Sequence, residues 1–178
     1  MNSLILVNGS HACSPDTARD LIPVHKDYPD ILLERKAVLA LSRIMKRLDG
    51  WKFILPVSGW RSEEEQLEIY TESLHDNGPA FTEKFVALPG HSEHQTGLAI
   101  DLGLRQPVID FIRPDFPYEG VCQRFRELAP AYGFVERYPA GKEDITGIAH
   151  EPWHFRYVDT PHSEIMAARG LTLEEYLA

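Results

Sequence analysis

The order of helical and strand-like segments is the feature that most constrains the fold of this chain. Segments with helical apolar spacing alternate with short apolar runs, but they do not recur as the regular strand–helix–strand units that build a parallel sheet. We therefore predict an α+β fold with a central, mostly antiparallel sheet and flanking helices. The chain has 178 residues, the length of one ordinary domain, and no linker or repeat divides it. We expect a single domain over residues 1–178.

The predicted helices show apolar residues at helical spacing or a capping signal at their start. Two of them begin with a capping box, in which a Ser or Thr precedes a Glu by three positions. The predicted helices are Ile31–Leu48, Ser62–His75, Val121–Tyr132 and a C-terminal helix that opens at Thr172. The predicted strands are Leu4–Val7, Lys52–Val57, Gly97–Leu102, Phe134–Tyr138 and His154–Val158. Residues 103–119 carry three prolines and are predicted to form a surface loop.

Charge and composition exclude several classes of protein. The chain has 18 Lys+Arg against 27 Asp+Glu, a formal net charge of −9, and it shows no basic patch, so nucleic acid is not an expected partner. No window approaches the ~18 consecutive apolar residues of a membrane helix, and the N-terminus lacks the basic region of a signal peptide. Cys13 and Cys122 have no metal-ligand spacing and suit free thiols in a reducing compartment. We expect a soluble, cytoplasmic protein without a membrane anchor.

Two short segments bear on chemistry, and the first runs from Ser92 to Asp101. His94 and Asp101 offer an imidazole nitrogen and a carboxylate oxygen, both of which zinc accepts. Their odd spacing would put them on opposite faces of a regular strand. They converge only if the chain bends between them, which Gly97 permits. Taken alone, this segment is more typical of a surface aspartate at the end of a strand.

The second segment surrounds the start of the strand predicted at His154. Pro152 pushes Glu151 out of helical conformation, which excludes the helical H-E-x-x-H zinc motif. Glu151 then lies just ahead of the strand, and His154 shares one face with Arg156. A glutamate near a metal-binding histidine can act as a general base for water on the metal. Taken alone, however, the segment is more typical of an aromatic-rich strand with a hydrogen-bonded histidine.

Together the two segments supply two histidines, one aspartate and one glutamate. A catalytic zinc site takes three protein ligands and keeps a fourth position open for water, whereas a structural site is closed and usually contains cysteine. Neither Cys13 nor Cys122 is near these segments. The combination therefore favours a catalytic zinc site with a free carboxylate beside it.

The same segments resemble those of the zinc D-Ala-D-Ala peptidases, which include the D,D-dipeptidases and D,D-carboxypeptidases of vancomycin resistance. The similar patterns are S-x-H-x-x-G-x-A-x-D (92–101) and E-x-W-H (151–154), with S-G-W-R-S (58–62), A-L-P-G (87–90) and I-T-G (145–147) around them. The resemblance extends from about Asp49 to the C-terminus and is greatest to the soluble bifunctional D,D-dipeptidase/D,D-carboxypeptidases. It implies the single-domain, hedgehog/DD-peptidase-like metallopeptidase fold.

The resemblance also implies a role for each of seven residues in a site with one Zn²⁺ per chain. The three zinc ligands are matched by His94, Asp101 and His154. The general base that activates the zinc-bound water is matched by Glu151, and the arginine that stabilises the developing oxyanion by Arg61. Two positions that hold the substrate are matched by Ser92 and Gln66.

The activity implied is hydrolysis of D-Ala-D-Ala, removal of the C-terminal D-Ala from a peptidoglycan precursor pentapeptide, or both, in support of vancomycin resistance. Two other hypotheses remain: a cell-wall endopeptidase that cleaves an L-Ala-D-Glu bond, and a non-catalytic zinc- or peptidoglycan-binding module. Glu151 and Arg61 argue against the binding module, which needs neither. The loops near residues 76–90 and 103–118 would set the balance between the two activities. The sequence leaves that balance and the oligomeric state open.

Overall fold

The computed structural model describes residues 2–15, 17–18 and 20–178, and within them the strands form two antiparallel sheets. The smaller sheet is a hairpin, and the larger has four strands in the order β3-β4-β6-β5. The predicted α+β class with a mostly antiparallel sheet is confirmed. The strands are β1 (Leu21–His25), β2 (Tyr28–Glu34), β3 (Ile54–Ser58), β4 (Ala99–Leu104), β5 (Phe134–Tyr138) and β6 (Glu151–Tyr157).

Helices flank these sheets, and both predicted capping boxes are present. At the first, Ser62 Oγ accepts a hydrogen bond from Glu65 N, and Glu65 Oε2 accepts one from Ser62 N. Among the described residues, none of the helices has the length and apolar character needed to cross a membrane. The helices are α1 (Arg35–Leu48), α2 (Glu63–Asn77), α3 (Pro79–Phe85), α4 (Gly120–Leu128), α5 (Glu143–Thr146), α6 (His162–Arg169) and α7 (Leu173–Leu177). Short 3₁₀ turns lie at Gly50–Lys52, Glu93–Thr96 and Ala129–Tyr132.

The N-terminal part of the chain differs from the prediction. Leu4–Val7 is not a strand, and the helix predicted from Ile31 begins at Arg35. The apolar pair Leu32 and Leu33 belongs instead to β2, where it pairs with Pro23 and Ile22 of β1. A short apolar run fits a strand as well as a helix, and pairing with a distant segment decides between them. The short helices α3, α5 and α6 were also absent from the prediction.

The main hydrophobic core lies between α1, α4 and one face of the four-stranded sheet. Leu41 and Ile44 of α1 and Ile100 of β4 are fully buried there. Phe125 of α4 packs edge-to-face on Phe155 of β6, with ring centroids 5.0 Å apart. Because side chains alternate along a strand, the neighbours of Ile100 and Phe155 point to the opposite face of the sheet. The core thus supports β4 and β6 from beneath and leaves their other face for the candidate site.

Candidate metal centre and active site

Three predicted zinc ligands converge on that opposite face. One ligand atom from each of His94, Asp101 and His154 lies within 4.8 Å of the other two. Nδ1 of His154 is 2.8 Å from Oδ1 of Asp101, and Nε2 of His94 is 3.1 Å from Oδ2 of the same carboxylate. A tetrahedral ion with bonds of ~2.0–2.1 Å holds its ligands about 3.3 Å apart. All three side chains are buried. The donor set and its spacing therefore fit one zinc ion.

The backbone brings these residues together by a bend and a cross-strand pair. Gly97 ends the 3₁₀ turn that carries His94, and its φ of 70° lies in the left-handed region. A Cβ at Gly97 would also lie 2.8 Å from a side-chain carbon of Leu21. Both the left-handed backbone and this close contact therefore disfavour any residue other than glycine there. The chain then enters β4, where Asp101 lies directly opposite His154 of β6. The bend predicted at Gly97 is present.

The second nitrogen of each imidazole has a hydrogen-bond acceptor. Nδ1 of His94 is 2.7 Å from the carbonyl oxygen of Gly59, which can only accept, so Nδ1 donates. Nε2 of His154 is 3.4 Å from Oε2 of Glu93. These contacts leave Nε2 of His94 and Nδ1 of His154 to face the metal centre. Such outer contacts orient ligating histidines and select their tautomers.

Glu151 lies beside the three ligands because β6 carries a bulge. Glu136 of β5 pairs with Phe155 and Tyr138 pairs with Glu151, so four steps on β6 oppose two on β5. The extra residues bring Glu151 and His154, three positions apart, to the same cavity. Glu151 Oε2 is 3.9 Å from Nδ1 of His154. The strand therefore begins at Glu151, three residues earlier than predicted.

Burial and neighbouring charge act differently on the two carboxyl groups. Burial opposes ionisation of Asp101, but His94 and His154 outweigh it and hold its pKa well below the usual range. Burial raises the pKa of Glu151 well above its usual range, although the charges of His154 and Arg61 oppose the shift. Asp101 thus suits a permanently charged ligand. Glu151 suits a group that gains and loses a proton.

Arg61 is held rigidly at the turn between β3 and α2. Its NH1 donates to Oε1 of Gln66 at 2.6 Å, and its NH2 donates to Oγ of Ser58 at 2.8 Å. Nε2 of Gln66 in turn donates to the carbonyl oxygen of Ala87 at 2.8 Å. Burial lowers the pKa of Arg61, and the charge of Asp101 opposes that shift. Two anchored nitrogens fix the plane of the guanidinium group toward the cavity.

All seven residues to which the family resemblance gave a role line one cavity of about 330 Å³. Phe111 and Ile112, from the loop between β4 and α4, and residues of α2 form part of its wall. A second cavity of about 260 Å³ adjoins it, and the two share residues 86–87, Tyr138 and Ile148. The predicted metal, acid–base and substrate positions are therefore in one place.

Comparison with known proteins identifies the family. Residues 30–160 match the sequence model of VanY, described as D-alanyl-D-alanine carboxypeptidase. The chain belongs to the VanY family. This confirms the family resemblance inferred from the motifs.

Individual members of this family are similar along most of their length. The bifunctional D-Ala-D-Ala dipeptidase and D-Ala-D-Ala carboxypeptidase VanXYC of Enterococcus gallinarum is 42% identical over 179 residues, covering 99% of this chain and 94% of the relative. The crystal structure of the D,D-dipeptidase VanXYg with a D-Ala-D-Ala phosphinate analog is 55% identical with a TM-score of 0.97, covering 99% of this chain and 70% of the other. A mutant of the D,D-pentapeptidase VanY from a VanB-type resistance cassette, crystallised in complex with Zn(II), is 28% identical with a TM-score of 0.80 and full coverage of both chains.

In this VanY-family chain the structure also shows neighbours of the candidate metal centre that the sequence reasoning missed. Glu93, Arg137 and Arg156 form a fully buried ionic cluster behind His154. The ring of Tyr138 lies 4.9 Å from that of His154. One signal was available, since Arg156 shares a strand face with His154. A guanidinium group on a buried face requires a carboxylate partner.

Proposed function

We propose that residues 1–178 form a single zinc-dependent D,D-peptidase domain. It hydrolyses D-Ala-D-Ala, removes the C-terminal D-Ala from peptidoglycan precursor pentapeptides, and so supports vancomycin resistance. One observation carries the proposal: a His–Asp–His cluster, a buried glutamate and an anchored arginine share one cavity in a VanY-family chain. The bifunctional relative VanXYC has both activities in its name, and VanXYg was crystallised with a dipeptide analog.

The proposed ligands are His94, Asp101 and His154, with one zinc ion per chain. Two imidazole nitrogens and one carboxylate oxygen leave a fourth position open, which is typical of catalytic and not of structural zinc. When bound, zinc would polarise the scissile carbonyl and lower the pKa of water toward ~7. Binding of Zn(II) by the related VanY pentapeptidase supports this choice of metal.

Glu151 is the proposed general base. Its carboxyl group is buried and lines the cavity beside the proposed metal ligands, and we assign to it the water that attacks the peptide carbonyl. It takes a proton from that water and passes it to the amine of the departing D-Ala. Positioned acid–base groups of this kind contribute typically 10²–10⁴-fold in rate.

Arg61 is the proposed donor to the carbonyl oxygen as negative charge develops on it. Ser58 and Gln66 hold the guanidinium group before substrate arrives, so no reorganisation is needed during the reaction. Ser92 is a proposed substrate contact in the cavity wall. Gln66 is proposed to act through Arg61 as well as on the substrate.

The dimensions of the site support a small peptide as substrate. A cavity of about 330 Å³ lies at the lower end of the ~300–1,000 Å³ typical of small-ligand sites. The adjoining cavity of about 260 Å³ offers room for a longer chain, which supports use of the pentapeptide as well. Cys13 and Cys122 are free and buried, which supports the cytoplasm as the site of reaction.

Peptide-bond cleavage by the purified, zinc-loaded protein, followed as the newly formed amino groups and, for the first two substrates, as released D-alanine, tests the proposal. The substrates are D-Ala-D-Ala, a precursor pentapeptide and a peptide with an L-Ala-D-Glu bond, each also offered to the Glu151→Gln variant. We expect release from the first two, lost in the variant, and no cleavage of the third. Cleavage of the L-Ala-D-Glu bond alone would indicate the endopeptidase. No cleavage of any substrate with zinc bound would indicate the binding module.

A further inference from the structure

Glu93 occupies a fully buried position directly behind the candidate metal centre. Its Oε1 accepts a hydrogen bond from Nε of Arg137 at 2.8 Å and one from NH1 of Arg156 at 2.7 Å. Its Oε2 faces Nε2 of His154 at 3.4 Å. The side chains of Glu93 and both arginines are 0% exposed. One oxygen of this carboxylate thus meets the arginines, and the other meets a proposed zinc ligand.

Each arginine is also anchored on its far side. Arg137 donates through NH1 and NH2 to the two carboxylate oxygens of Glu174 in α7, at 2.9 and 2.6 Å. Arg156 donates through NH2 to the carbonyl oxygen of Ile5, at 2.7 Å. Neither guanidinium group can follow Glu93 if its carboxylate moves. The two arginines therefore fix the position of Oε1 of Glu93. With Oε1 fixed, the carboxylate directs Oε2 toward His154.

We propose that Glu93 is a positioning residue for the metal centre. By accepting the Nε2 proton of His154, it turns the ring so that the bare Nδ1 faces Asp101 and the metal. The inference rests on the proposed zinc site and adds to it the group that selects the tautomer of one ligand. His94 obtains the equivalent support from the backbone carbonyl of Gly59, so Glu93 is the side chain through which this support can be altered.

A purely structural role is the competing explanation, since buried ion networks also hold folds together. The two roles predict different measurements. A structural glutamate would change the melting temperature of the metal-free protein and leave the zinc affinity of the folded fraction unchanged. A positioning glutamate would change the zinc affinity of protein that is still folded.

Two variants separate these roles. In Glu93→Gln, a carboxamide whose oxygen meets the arginines must turn its NH₂ toward Nε2 of His154, where a donor faces a donor. In Glu93→Asp, the charge between the arginines is kept, but the shorter side chain withdraws from the imidazole. The matched control is Glu174→Gln, which touches Arg137 on its far side and has no contact with His154. The aspartate variant keeps the test available if the glutamine variant does not fold.

Zinc affinity, measured by competition with a chelator on metal-free protein, is the first readout. We expect the dissociation constant to rise 10–100-fold in both Glu93 variants and less than threefold in Glu174→Gln. Wild-type affinity in either folded Glu93 variant would overturn the inference. A wild-type chain that binds no zinc would overturn the proposed function itself, so the two failures are distinguishable.

Long-range ¹H–¹⁵N NMR of the zinc-loaded wild-type protein is the second readout, and it needs no variant. We expect the proton of His154 on Nε2 with the metal on Nδ1, and the reverse assignment for His94. A proton on Nδ1 of His154 would overturn the inference.

Discussion

Replacement of Arg61 by lysine tests how far catalysis depends on a guanidinium group anchored in advance. In the wild-type protein, two nitrogens of Arg61 are engaged by Ser58 and Gln66, and its remaining N–H groups can point into the cavity. A lysine keeps the positive charge but has one nitrogen at the end of a flexible stem. It cannot hold both anchors and also donate to the substrate. The variant therefore removes fixed orientation while retaining charge.

The size of the expected decrease in kcat depends on whether the variant retains a positive charge at position 61. Loss of one donor to a developing oxyanion typically costs about 10²–10³ in kcat. Lysine retains the positive charge close to Asp101 and Glu151, so we expect Arg61→Lys to lower kcat by roughly 10²-fold, the lower end of this range. Arg61→Met removes the charge as well and should lower kcat by an amount at the upper end. A donor that acts on developing charge contributes mainly in the transition state. KM should accordingly change much less than kcat.

The assay is D-alanine release from D-Ala-D-Ala at saturating and limiting substrate, with bound zinc measured in each sample. The matched variant is Gln66→Met, which removes the anchor at NH1 and leaves Arg61 and every proposed zinc ligand in place. We expect a decrease in kcat of about tenfold, smaller than for either Arg61 variant, since the contact to Ser58 remains. A kcat for Arg61→Lys within threefold of wild type, at full zinc content, would refute the argument for a pre-oriented guanidinium group.

Three further perturbations probe the base, the core and the ionic cluster. Glu151→Gln should lower kcat by about 10²–10⁴ at unchanged zinc content by metal analysis, and an active variant would remove Glu151 as the base. Phe125→Ala, which empties the space beneath Phe155, should lower the free energy of unfolding by ~3–5 kcal/mol in urea titrations, and a loss below 1 kcal/mol would contradict this packing. Burial raises the pKa of Glu174, but hydrogen bonds from Arg137 outweigh it and the pKa is lowered. The stabilisation is therefore complete above the unfolded-state value of ~4.3 and is lost as pH falls through the folded-state value. Glu174→Gln should weaken the dependence of urea midpoints on pH below that value, and an unchanged acid limb would contradict the coupling.

The parts of the fold that could be predicted from the sequence are set by residues close together along the chain. The capping box at Ser62 and Glu65 fixes where α2 begins, because its hydrogen bonds span only three positions. Gly97 was identified as the bend because no other residue in its segment tolerates a left-handed conformation so well. The donor types in the segments 92–101 and 151–154 favoured a catalytic zinc site, whereas the individual roles, including those of Arg61 and Gln66 outside these segments, came from the family resemblance. All of these residues line one cavity.

The parts that were not predictable depend on partners far along the chain. The residues Leu32 and Leu33 fit a longer α1 by their spacing, but they pair with Pro23 and Ile22 of β1 instead. The hydrogen bond from Glu34 N to Gly97 O adds a second contact with a distant segment at the end of β2. Glu93 reads as an ordinary acidic residue beside His94. Its importance appears only when Arg137 and Arg156 arrive from β5 and β6. Periodicity carries no information about such pairs, because the contact spans 44 residues in one case and 63 in the other.

The placement of the site on the two central strands explains how a small chain can keep it rigid. β4 and β6 each have a neighbour on both sides, and Asp101 pairs with Ser58 of β3 and His154 of β6. His154 lies in the bulge of β6, where its cross-strand partner is Asp101 and where β5 resumes pairing at Phe155 and Glu151 on either side of it. Beneath them, Ile100 and Phe155 are 0% exposed and close-packed, which resists movement toward the core. Above the sheet, the support is polar and comes from Gly59 and Glu93. A ligand set held by packing on one face and by hydrogen bonds on the other is preorganised for the metal. Its affinity should therefore respond to changes on either face.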